Sequence, residues 1–154
     1  MYVFVLTLHS LVRWLVLFSL CFVLYRAYYG WFSKKQFSRF DKFTITSTVT
    51  VVHLQFMLGL WLYFISPSAR YFMHNFKQAI HQRDFRFFGM EHVVMMLLAV
   101  TLITIGSAKT KSRKTDTGKY KTIAFWFTVG LLIILSSIPW PFSPFTSRPY
   151  FRLF

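Results

Sequence analysis

Few side chains in this 154-residue chain can do chemistry, because only a handful of polar residues interrupt its apolar stretches. His9 and Arg13 lie in the first stretch, His53 and Gln55 in the second, and Glu91 and His92 open the third. The fourth offers only hydroxyls, from Thr128, Ser136 and Ser137. A neutral imidazole nitrogen ligates metals, and the other ring nitrogen then needs a hydrogen-bond acceptor. Three histidines in three separate stretches therefore point to a bound metal or haem. Zinc or a non-haem metal would want three or four ligands converging at about 2 Å. The sequence has no CxxCH motif for a c-type haem and no Glu-x-x-His pair for a di-iron bundle. It also lacks a nucleophilic triad, a phosphate loop and a glycine fingerprint. A stand-alone enzyme is thus less expected than an electron-transfer or accessory subunit.

The elements that hold these residues must cross a bilayer. The chain is 55% hydrophobic, 21% aromatic and only 14% charged, with a mean hydropathy of +0.47. Soluble domains carry about 25% charged residues. A spanning helix needs roughly 20 mostly apolar residues. Four blocks qualify, at about 2–29, 43–65, 87–107 and 122–140. Aromatic residues sit near their ends (Tyr28, Trp31, Tyr63, Trp126 and Trp140), as at membrane interfaces. The expected fold is all-α: one membrane domain of four transmembrane helices in an up-down-up-down bundle. No basic leader or small-residue cleavage site flanks the first block, so it is expected to be retained as a helix. The lone Cys21 inside it can form no internal disulfide.

Charge sets the expected orientation. Lys34, Lys35, Arg39 and Lys42 fall in loop 30–42, and Lys109, Lys111, Arg113, Lys114, Lys119 and Lys121 in loop 108–121. The positive-inside rule puts both loops in the cytoplasm. Both termini, loop 66–86 and the proline-rich tail 141–154 then face outward. The net charge of +14 fits contact with anionic lipid and comes with no nucleic-acid recognition module. Within the outer loop, residues 69–81 could form a short helix lying on the membrane or a plain connection. His74 and His81 in that loop are expected to be solvated.

Depth decides which residues can meet. At 1.5 Å per residue, His9 and His92 each lie about 8 Å to the outer side of the midplane, and His53 lies close to it. In such a bundle the first and third helices are diagonal neighbours. His9 and His92 could then ligate one haem b from its two faces, with His53 as the alternative ligand. Arg13, one turn below His9, needs a partner at that depth, either a haem propionate or Glu91 in an ion pair. Thr46, Thr50, His53 and Met57 share one face of the second helix, which could line a proton path or hydrogen-bond a quinone or haem edge. Threonines bonding back to their own helix would explain the same stripe. Thr48, Gln55 and Gly59 share another face, so a second protein surface is expected to cover this helix. On the third helix, His92, Ala99 and Gly106 recur at seven-residue spacing, which permits close helix packing or room for a flat ring.

The segments LHSLVRW (8–14), HLQFMLGLWLYF (53–64), RFFGMEHVVMMLLAVTLITIG (86–106) and IPWPF (138–142) resemble a family of small four-helix membrane proteins of Bacteroidota commonly labelled cytochrome b. The resemblance covers nearly the whole chain. It implies a haem-associated protein of the bacterial inner membrane, with His9, His53 and His92 as the motif histidines. Di-haem b-type cytochromes use two histidine pairs, and three histidines cannot supply both. The leading expectation is a haem-binding electron-transfer protein of the inner membrane. The alternative is a non-catalytic accessory subunit packed in a larger membrane complex or homo-oligomer. A small proton or metal carrier is the third.

Overall fold

The computed structural model describes residues 1–143 and Thr146. These form α1 (Tyr2–Phe32), α2 (Arg39–Ile65), three short helices α3 (Pro67–His74), α4 (Phe76–Ala79) and α5 (Arg83–Arg86), a π turn at Phe87–Glu91, α6 (His92–Lys111) and α7 (Asp116–Ser137). The α5 helix, the π turn and α6 run on as one rod, Arg83–Lys111, giving four helices long and apolar enough to cross a membrane. The protein is an all-α, four-helix membrane protein. Neighbours pack as a ring, α1 on α2, α2 on α6, α6 on α7 and α7 on α1. The first and third spans therefore face each other across the bundle, as expected.

The helix ends differ from the hydropathy blocks. The α2 helix starts at Arg39 because Ser38 caps it: the Ser38 hydroxyl accepts from the Asp41 N–H at 3.1 Å, while the Asp41 carboxylate accepts from the Ser38 N–H. Thr115 caps α7 in the same way, accepting from the Gly118 N–H at 3.1 Å. The basic connections shrink to 33–38 and 112–115. Hydropathy sees only the bilayer-length part of a helix, and capped polar turns extend beyond it. Ahead of Pro139, Ile138 is extended (φ −74°, ψ 132°), which ends α7 at Ser137. In the connection between the second and third spans, the expected helix over 69–81 is two helices, α3 and α4, broken at Asn75 (φ −125°, ψ 43°). His74 and His81 are exposed there. The Thr146 hydroxyl donates to Asp84 at 2.7 Å, while the rest of the tail beyond 143 lies outside the described residues.

The packed core occupies the half of the bundle nearer the basic connections, around Leu20, Val23, Ile103, Ile123 and Phe127. Small residues let the helices close there. A methyl added at Gly106 would fall on the Trp126 side chain, and one added at Gly130 would sit 2.6 Å from Ile103. The Ala99–Gly106 stripe thus serves α6–α7 packing rather than a ring. Gly106→Val must push apart the stem of Trp126, which cannot swing away. We expect it to destabilise the protein by about 1–3 kcal/mol, seen as a lower detergent midpoint of unfolding. An unchanged midpoint would contradict the packing described.

At the basic end, Asp41 is 2% exposed and carries the main polar network. It accepts from Arg26 Nε at 2.9 Å and Nη2 at 2.6 Å, from the Ser38 hydroxyl at 2.6 Å and from the Tyr120 hydroxyl at 2.9 Å. One carboxylate thereby ties α1, α2 and α7 together.

Candidate functional site

The half of the bundle away from the basic connections is hollow. A cavity of about 350 Å³ lies between α1, α2, α6 and α7, with Ser68 and Ala69 of α3 at its end. Its polar wall includes His9, Arg13, Gln55 and His92, and apolar side chains such as Leu6 and Met96 make up most of the rest.

His9 and His92 meet across this space. Their ring centroids are 6.5 Å apart and the ring planes are inclined at 75°. Each ring has a distinct setting. The Nδ1 of His92 lies 2.9 Å from the Ser137 carbonyl oxygen. Ser137 is the last residue of α7, so its carbonyl has no N–H of its own helix to accept from. A carbonyl can only accept, so His92 Nδ1 carries the proton and its Nε2 keeps a lone pair. His9 Nδ1 is buried and has no hydrogen-bond partner among the described residues. Gly59 of α2 makes room for that ring, since a methyl there would sit 3.2 Å from His9 Cε1. Gln55, one turn away, donates from Nε2 to the His9 carbonyl at 2.9 Å, and its Oε1 is also buried with no partner among the described residues.

The third span is wound specifically ahead of His92. The π turn at Phe87–Glu91 widens the helix by one residue and resets the face that α6 presents to the bundle. Such turns concentrate at functional sites. Here the Tyr63 hydroxyl donates to the Gly89 carbonyl at 3.0 Å, and Gly89 lies directly against the Phe72 ring of α3. Arg13 also borders the cavity. Its guanidinium lies 5.4 Å from the centre of the Trp14 ring and 6.0 Å from that of Trp140. The two indoles themselves pack edge to face at 6.1 Å.

Two expectations need correction. Glu91 does not pair with Arg13. Its carboxylate accepts from Arg86 Nε at 2.6 Å, because the π turn places the two five residues apart on one side of the rod. His53 does not join the other histidines. Its face of α2 turns outward, with Thr46, Thr50 and Met57 also exposed, and its Nε2 bonds the Thr104 hydroxyl of α6 at 2.9 Å. The Thr48–Gln55–Gly59 face is the one turned inward. The residues underrated in the sequence are therefore Gln55 and Gly59, whose signal was that shared face. The Ser137 carbonyl had no sequence signal, being a backbone atom freed by a helix end.

Among the described residues, no three His, Cys, Asp or Glu side chains converge as a metal-binding group. The imidazoles on the cavity wall are those of His9 and His92. No protein-family model, curated protein or solved structure matches the chain.

Proposed function

We propose that this protein binds one haem b in the membrane, with His9 and His92 on opposite faces of the ring, and takes part in electron transfer. The observation that carries the reading is the spacing of the two imidazoles. An imidazole nitrogen lies about 1.1 Å from its ring centre and a metal–nitrogen bond takes about 2 Å, so two rings on one metal have centres about 6.3 Å apart. The rings here are 6.5 Å apart, in an apolar cavity. His92 bonds the Ser137 carbonyl through Nδ1, the kind of acceptor that a metal-ligating histidine needs for its other ring nitrogen. The buried atoms His9 Nδ1 and Gln55 Oε1, which have no partner among the described residues, make this wall polar. Bound there, haem would supply one-electron redox chemistry, and the chain would supply ligands, exclusion of water and charge. Arg13 is the cationic residue on the cavity wall and would face propionate. On the positive-inside rule we read the basic connections as cytoplasmic and the membrane as the bacterial inner one.

The test is reconstitution. Purified protein mixed with haemin is expected to give a six-coordinate, low-spin absorption spectrum at one haem per chain, sharpening on reduction. No haem band before or after addition would sink the reading. Gly59→Val, which presses on His9, is expected to weaken haem affinity about tenfold or more, since a ligand ring must be held within a fraction of an ångström. Unchanged affinity would show that His9 is not the ring held there. The accessory-subunit reading keeps one observation in its favour, the polar stripe that α2 turns away from its own bundle.

A further inference from the structure

A second polar site lies outside the cavity, on the membrane-facing surface where α2 meets α6. His53 is at its centre, about 21 Å from one end of α2 and about 18 Å from the other by helix rise. The hydrocarbon core is about 30 Å thick, so His53 sits near its middle. No water or headgroup serves hydrogen bonds at that depth.

The hydrogen bonds fix which nitrogen carries the proton. The Thr104 hydroxyl has one hydrogen and gives it to the Val100 carbonyl at 2.7 Å. It can only accept from His53 Nε2, 2.9 Å away, so Nε2 is the N–H. In the uncharged ring, Nδ1 is then a bare acceptor. The neighbouring hydroxyls do not supply a donor, because Thr50 donates to the Thr46 carbonyl and Thr101 to the Leu97 carbonyl. No described residue bonds Nδ1. Both helices expose apolar side chains here, Leu54 and Met57 on α2 and Leu97 on α6. The two spans that share this surface are also the least covered by their own chain: 17% of each apolar window is buried, against 28% and 44% for the other two.

We propose that His53 Nδ1 is the acceptor of a binding site for a bilayer-dissolved ring hydroxyl of the hydroquinone class. The site asks for an O–H donor, and its depth demands an apolar carrier for that donor. A hydroquinone has both, whereas lipid headgroup hydroxyls cannot reach this level. Thr104 is the positioning residue that holds the ring with Nδ1 outward. The binding itself stands independently of the haem reading.

The test uses tritiated duroquinol and the full chain in phosphatidylcholine nanodiscs, with empty nanodiscs as the baseline. Uptake above baseline is expected to saturate near one per chain. Unlabelled duroquinol should displace it, and duroquinol dimethyl ether, which has no O–H, should not. His53→Phe should abolish the saturable uptake, and Thr104→Val should weaken it several-fold. No saturable uptake, equal displacement by the ether, or full uptake by His53→Phe would each overturn the proposal. So would rapid disulfide dimerisation of His53→Cys in a Cys21→Ser background, which would show that a second copy covers the surface. Haem absorbance is read on the same samples. Uptake without haem would refute the haem reading alone, and haem without uptake would refute this site alone.

Discussion

His9→Ala and His92→Ala are each expected to abolish the low-spin haem spectrum, whereas His53→Ala leaves it intact. Among the described residues, the two cavity histidines are the only imidazoles on its wall, and they face each other at 6.5 Å. Removing either would leave one histidine to hold the group and a void of about imidazole size. Affinity should fall by more than the roughly 10–100-fold typical of losing a group that only hydrogen-bonds a ligating side chain. Exogenous imidazole should restore the six-coordinate spectrum in His9→Gly, because the cavity keeps its shape and its second ligand. His53 faces away and bonds Thr104, so its loss should not touch the spectrum. A spectrum that survives both cavity substitutions, or disappears only with His53, would refute the pairing.

The largest effect on stability is expected at Asp41. Its carboxylate is 2% exposed and accepts hydrogen bonds from three helices or their caps. Asp41→Ala strands Arg26, removes half of the Ser38 capping box and leaves the Tyr120 hydroxyl with the Gln36 carbonyl alone. Breaking one side of a buried, hydrogen-bonded pair costs about 3–5 kcal/mol. Arg26 is 32% exposed and can recover some hydration, which favours the lower end. Tyr120→Phe removes a single bond and should cost about 1 kcal/mol. Unfolding in mixed detergent micelles measures both. Equal, small effects would mean that the network does not act as a unit. Because Asp41 lies at the opposite end from the cavity, Asp41→Ala protein that stays folded should still bind haem normally.

Several features were legible because they depend on local chemistry. Apolar length gave the four spans, and helix rise put His9 and His92 on a level. The up-down order put them on diagonal helices. Glu91 was misassigned because depth alone cannot see a π turn, which brings Arg86 within 2.6 Å. The alternative pairing through His53 stayed open in the sequence for a different reason. Spacing shows that Thr46, Thr50 and His53 share a face, but not which way that face turns. Rotation of α2 about its axis is set by what packs well on the other side. There Gly59 admits the His9 ring and Gln55 reaches the His9 carbonyl.

The sequence by itself determined a membrane protein with four crossings and the three histidines available inside it, since hydropathy and residue type are local and need no neighbours. Only the tertiary structure decided that two of those histidines form a pair and the third looks outward. It alone brought the freed carbonyl of Ser137 to His92 and joined Asp41 to three helices. Those outcomes depend on helix rotation and on where helices end, both set by contacts between residues far apart in the chain.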